Sequence, residues 1–245
     1  MPKIYLSPSL QEYNPYVDGG NEEYYMNLIA DEMIPYLNSS GIEYVRNTPS
    51  QTLSQAINES NASDVDFHLA LHSNAAPPQL SGTLRGSDVY YYANSENGKR
   101  AADIFVNNLK KIYPDPSAVR AVPTTSLAEL TKTRVPAVLV EIAYHDNPED
   151  AMWIRNNLNL IAKNMVMSLT EYFGISFIEP QIIRYGIVTT SSGPLNLRSK
   201  PDINSEILTQ IPRGTNIEIL GQFQDWYVVN YNGTEGYASS KYITI

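Results

Sequence analysis

Two apolar runs in this chain end in groups that hydrocarbon does not tolerate alone. LALHSNAA at 69–76 closes on His72, and LVEIAYHDN at 139–147 is interrupted by Glu141. The almost continuously apolar stretch 135–143 reads as a strand covered on both faces, so the chain must lay other elements over both sides of a sheet. A carboxylate inside Val138-Leu139-Val140-Glu141-Ile142 is costly to bury unpaired. A catalytic site explains it best; a structural ion pair is the plainer alternative.

The surrounding elements follow from periodicity and punctuation. Residues 3–7 read as a strand and 8–20 as a polar loop. Asn21 opens a helix in which Met26, Ile29, Met33 and Leu37 recur at helical spacing, with Glu22 and Glu23 in its first turn and Gly41 as its stop. Strands are expected at 42–46, 66–72, 87–92 and 135–143, helices at 53–61 and 98–113, and a long helix or helix pair at 150–173. This alternation implies an α/β domain with a mainly parallel or mixed sheet flanked by helices, whose ligands sit beyond the carboxyl ends of the strands. His72 and Glu141 both lie near such ends. After residue 178 the pattern changes. A linker is expected over 179–185, and from 186 to 245 short β-rich runs separated by turns indicate a small all-β barrel.

Composition narrows the function. A net charge of −9 lacks the basic footprint of a nucleic-acid binder and of a protein held electrostatically on anionic lipid. No run approaches the length that spans a bilayer, so no membrane insertion is expected. With no cysteine, disulfides and thiolate metal sites are excluded, and any zinc must use His, carboxylate or amide oxygen. The N-terminus MPKIYLSPS has no charged-then-apolar leader, so export by a non-standard route or release on lysis is expected.

Glu23, His72 and Glu141 together suit a catalytic metal site: about three protein ligands, an open position for water, and a carboxylate to carry the proton. Separately, Glu23 reads as a helix-start carboxylate and His72 as a satisfied core histidine. His68 shares the strand face of His72 and reads as structural or supporting.

Glu23 with Asn27-Leu28, then His72-Ser73-Asn74-Ala75, then Val140-Glu141 with Tyr144 and Asn147, resemble in order the motifs of the zinc-dependent N-acetylmuramoyl-L-alanine amidases (amidase type 3 family). Gly86 with Val89 and Tyr91 extends the resemblance, which runs over roughly 3–174. It implies zinc as cofactor, Glu23 and His72 as metal ligands, Glu141 as the catalytic carboxylate, and hydrolysis of the amide between N-acetylmuramic acid and L-alanine. Asn74 is a candidate for orienting substrate. The family's first ligand is a His after the first strand, and none stands there in this chain. Gln11 is the nearest replacement, with His145 or Glu12 as alternatives.

Residues 186–245 resemble a bacterial SH3 domain: Gly186 and Val188, Leu195-Asn196-Leu197-Arg198, Pro212 and Gly214, Trp226-Tyr227-Val228, then Gly236-Tyr237-Ala238. The implied organisation is an amidase-like catalytic domain over 1–178, the linker, and a wall-binding module over 186–245. The implied partner is peptidoglycan, both glycan strand and stem peptide, with action at the cell wall. The alternatives are a metal-free, non-catalytic wall-binding protein and a zinc peptidase acting on stem peptides.

Overall fold

The computed structural model describes residues 1–180 and 184–245. The expected linker therefore includes three residues, Gln181, Ile182 and Ile183, that lie outside the described ones. Two compact units emerge. One comprises Lys3–Met33 and Tyr44–Tyr172; the other comprises Met1–Pro2, Ile34–Glu43 and Phe173–Ile245.

The first unit is built on a six-stranded mixed sheet. Its elements in chain order are β1 (Lys3–Pro8), α1 (Glu22–Ser39, which begins in this unit), β2 (Glu43–Arg46), α2 (Leu53–Ala62), β3 (Phe67–Asn74), β4 (Ser87–Tyr92), α3 (Glu96–Leu109), β5 (Val119–Thr124), α4 (Ala128–Thr131), β6 (Ala137–Tyr144), α5 (Pro148–Asn156) and α6 (Leu158–Phe173). The strand order is β2-β1-β3-β6-β4-β5. β1, β3 and β6 run parallel, and β4 is antiparallel to β6. As expected from their apolar runs, β3 and β6 are central. Two elements were not anticipated, the edge strand β5 and the single-turn helix α4.

The period of two in a strand sorts the side chains. Register places Tyr5 beside His68, Ser7 beside Ala70, and His72 beside Glu141. One face of the sheet therefore carries Tyr5, Ser7, His68, Ala70, His72, Leu139 and Glu141. Leu127 and Leu130 of the α4 segment pack over Ala70, Ala137 and Leu139 on this face. The opposite face is mostly apolar, with Ser87 donating to the Ile142 carbonyl; Phe67 packs there against Phe105 of α3 and Tyr172 of α6.

The second unit is dominated by seven strands: β7 (Arg184–Val188), β8 (Leu195–Arg198), β9 (Ile207–Ile211), β10 (Asn216–Phe223), β11 (Trp226–Tyr231), β12 (Thr234–Ser239) and β13 (Ile243–Thr244). They form one sheet in the order β13-β7-β10-β11-β12-β8-β9, with antiparallel pairing throughout. Its core includes Val188, Leu197, Ile211, Ile217, Ile219 and Val229. Tyr237 is fully buried and donates its hydroxyl to the Ser40 carbonyl at 2.9 Å within this unit. Trp226 is only partly buried.

Candidate active site

The site forms where β1, β3 and β6 end. His72 lies two residues before the end of β3 on the covered face, opposite Glu141 of β6. From the other side comes the first turn of α1. Asn21 caps that helix, accepting from the Tyr24 N–H at 2.8 Å, and so sets the phase in which the next two side chains leave it.

That phase corrects the sequence reading by one residue. Glu22, not Glu23, reaches His72: its Oε1 lies 2.8 Å from His72 Nδ1. Glu22 is 1% exposed and is held by Asn14, whose amide donates to Glu22 Oε2 at 2.7 Å. Successive helical residues point about 100° apart, so only one of the pair can face the sheet. Glu23 turns instead into a separate groove with Glu12, Asn27 and Arg46.

Gln11 joins the cluster. Its Nε2 lies 3.2 Å from His72 Nδ1 and 3.5 Å from Glu22 Oε1. The amide oxygen faces away and accepts from Tyr13 Oη and Asn14 Nδ2. His145 does not join. The register of β6 shifts between Glu141 and Tyr144 and the strand stops there, so the period of two that placed His145 on the face of Glu141 does not hold. It is buried, stacked on Tyr16, with Nδ1 2.8 Å from the Ser73 carbonyl. Glu12 is exposed in the groove of Glu23. Asn74 is half-buried; its carbonyl accepts from the His145 N–H, and its side chain is not among those lining the cavity described below.

Glu129 of α4 enters the site without having been anticipated. It is buried, with Oε2 3.3 Å from His72 Nε2 and Oε1 3.2 Å from His68 Nε2. Ser7 Oγ donates to the same Oε1 at 2.5 Å. A four-residue helix has no period to betray it. The available signal was a lone carboxylate between Leu127 and Leu130 just before an apolar strand.

A cavity of about 410 Å³ opens over this cluster, lined by Leu10, Leu53, Leu127 and Leu139 and by Gln11, His72, Glu129 and Glu141. The environment tunes each acid and base. Burial pushes the Glu141 carboxyl up to about 7, with His72 pulling the other way and Glu22 adding to the rise. Its Oε2 is buried with no hydrogen-bond partner among the described residues. Burial also works against charge on His72, but the bonds to Glu129 and Glu22 outweigh it and hold the imidazole well above its ordinary value. Against the same desolvation, His72 lowers Glu22, and His68 and His72 hold Glu129 well below the usual carboxylate range.

Among the described residues no three His, Asp or Glu side chains make a metal cluster on their own. What converges instead is one carboxylate, one imidazole and one amide. Two features fit a divalent ion at that point. The far nitrogen of His72 faces a carboxylate, the arrangement that orients metal-bound imidazoles. An orphaned acid, Glu141, stands next to it.

The α/β sheet thus carries, toward its strand ends, a His–Glu pair and a second, protonatable carboxylate, groups able to bind and to move a proton. The family profile of N-acetylmuramoyl-L-alanine amidases matches residues 11–171, and the chain belongs to that family; a bacterial SH3 domain profile matches 193–244. Solved structures with the same fold include the N-acetylmuramoyl-L-alanine amidase AmiC2 of Nostoc punctiforme. It is 18% identical, with a TM-score of 0.62 over 71% of this chain and 97% of that one. The catalytic domain of the CD27L endolysin targeting Clostridia difficile is 22% identical, with a TM-score of 0.58 over 70% and 98%. An N-acetylmuramoyl-L-alanine amidase from Clostridium difficile 630 is 16% identical, with a TM-score of 0.62 over 71% and 97%. Comparison with curated proteins gave no match.

Proposed function

We propose that this chain hydrolyses the amide between N-acetylmuramic acid and L-alanine in peptidoglycan. In this reading zinc is held by Glu22, His72 and Gln11, and Glu141 carries the proton. The observation that supports it most is that His72 and Glu141 line one cavity, with Glu22 buried against His72, in a chain of this family. Gln11 would have to turn its amide to present oxygen, giving up the bonds from Tyr13 and Asn14. When bound, zinc polarises the scissile carbonyl and acidifies water.

The chain's own residues do the rest. Glu141, poised near neutrality by burial, takes a proton from the attacking water. The water oxygen bonds to the lactyl carbonyl carbon, the carbon–nitrogen bond breaks, and Glu141 delivers the proton to the departing L-alanine nitrogen. Leu10, Leu127 and Leu139 keep bulk water from the reacting centre. The barrel holds the enzyme on the insoluble wall, raising the effective concentration of substrate.

Digestion of purified peptidoglycan, followed by mass analysis, tests this. The native chain should free L-alanine amino groups and leave the glycan intact, and Glu141→Gln should be slower by about 10²–10⁴-fold. Equal rates and fragments from both would remove Glu141 from the mechanism. One observation favours a second reading, wall binding without hydrolysis: Gln11 turns its amide nitrogen, not its oxygen, toward the cluster. That reading gives adsorption to peptidoglycan with no soluble product.

A further inference from the structure

We propose that Arg120 anchors a carboxylate of the stem peptide, a residue or two beyond the departing L-alanine. This rests on the reading of peptidoglycan as substrate, and it assigns a place to the peptide half of that substrate, outside the cavity that Glu141 lines.

Strand register lays four side chains in one row across the sheet. His72 of β3 is opposite Glu141 of β6, Glu141 is opposite Asp88 of β4, and Asp88 is opposite Arg120 of β5. Directly opposed residues share a face, so Arg120 stands on the face of the reacting groups. β4 is antiparallel to β6 and parallel to β5, so both open at the end of the sheet where β6 closes. Along the row, two strand spacings, about 10 Å, separate Arg120 from Glu141. An extended peptide at roughly 3.4 Å per residue covers that distance in two to three residues.

The guanidinium is fixed and yet open. Its Nε and Nη2 donate to the two oxygens of Asp88 at 3.0 and 3.1 Å. Asp88 is buried, and a planar fork paired to both of its oxygens has one orientation. The Arg120 side chain is nevertheless 61% exposed, and its Nη1 donates to nothing among the described residues. Other guanidiniums of this unit are more fully engaged: Arg46 by Asp31 and Asn27, Arg85 by Asp150 and Glu149. A carboxylate arriving from solvent therefore meets donors already held in place, with little side-chain freedom left to lose. Burial, and then the charge of Asp88, raise the Tyr90 and Tyr144 hydroxyls, so both phenols stay protonated and able to donate. The plainer reading is an ion pair that only neutralises Asp88. Such a pair gives the chain no preference between an acidic peptide and its amide.

That preference is the test. The probes are the acidic dipeptide L-alanyl-D-glutamate and the same dipeptide with both carboxyls converted to amides. Each is titrated into the chelator-treated full chain at millimolar concentrations, and the backbone amide shifts at positions 88 and 120 are followed by NMR. In the wild-type chain the acid should shift both signals saturably, and the diamide should bind at least about 10-fold more weakly. Arg120→Gln should bind the two peptides alike. Should the lone charge of Asp88 unfold that variant, the double variant Asp88→Asn/Arg120→Gln removes both charges together and should also bind the two alike. The proposal is overturned if the wild-type chain does not distinguish acid from diamide, whether by binding both equally or by binding neither. It is overturned too if the preference persists in a folded variant lacking Arg120. Hydrolysis plays no part in this measurement. A chain that shows the Arg120-dependent preference but leaves peptidoglycan uncut would refute the amidase reading and keep the carboxylate site.

Discussion

At the residue scale, one carboxylate in the centre of the sheet behaves unlike the others. Glu22 and Glu129 are buried against imidazoles, which hold them ionised. Glu141 has an orphaned oxygen and is pushed up to about 7 by burial. A carboxylate whose folded value lies above its unfolded value of about 4.3 favours the folded state most when protonated. Its cost is absent below about pH 4 and grows as pH rises toward 7. In the chelator-treated protein, Glu141→Gln should therefore gain stability relative to wild type between pH 4.5 and pH 8. The gain is at most roughly 3 kcal/mol, read from denaturant midpoints at the two pH values. A constant difference across that range would show that Glu141 titrates normally. His72 and Glu141 were legible in the sequence because each breaks an apolar run. The choice between Glu22 and Glu23 was not, because it depends on helix phase, which the Asn21 cap and the Asn14 bond decide. His145 misled because a register shift after Glu141 and the end of β6 at Tyr144 break the period of two.

At the element scale, the strands that carry the site were readable because both faces are covered, and covered strands are apolar. β5 escaped notice because it is an edge strand: VRAVPT is half-exposed and tolerates Pro123, which a central strand would not. α4 escaped because a single turn has no repeat, yet it brings Glu129 over the sheet. Gly86 shows how tightly the β4–β5 edge is built. Its φ is +123°, and a Cβ there would sit 2.3 Å from the Ala118 carbonyl oxygen, just before β5. Its N–H also donates to buried Asp150 at 3.1 Å. Gly86→Ala should cost about 2 kcal/mol or more in equilibrium unfolding. A change below about 0.5 kcal/mol would mean that the edge yields freely.

At the scale of the whole molecule, the chain combines a mixed α/β sheet matched by the amidase family with an all-antiparallel sheet matched by a bacterial SH3 domain, and the loss of helical period in the C-terminal stretch announced the second. The sequence did not announce that 34–43 groups with the barrel-bearing unit, because that grouping is a matter of tertiary contact and not of local pattern. None of the helices among the described residues is long and apolar enough to cross a membrane. The central claim is that the cavity at the ends of β3 and β6, with Glu22 in place of its neighbour, is where peptidoglycan is cut. It is tested most directly by the rate at which the full chain releases L-alanine amino groups from purified peptidoglycan, with Glu22→Gln and Glu23→Gln compared side by side. Loss of about 100-fold or more in Glu22→Gln, with Glu23→Gln within about twofold of wild type, is the predicted result. Full activity in Glu22→Gln, or a collapse confined to Glu23→Gln, would contradict it.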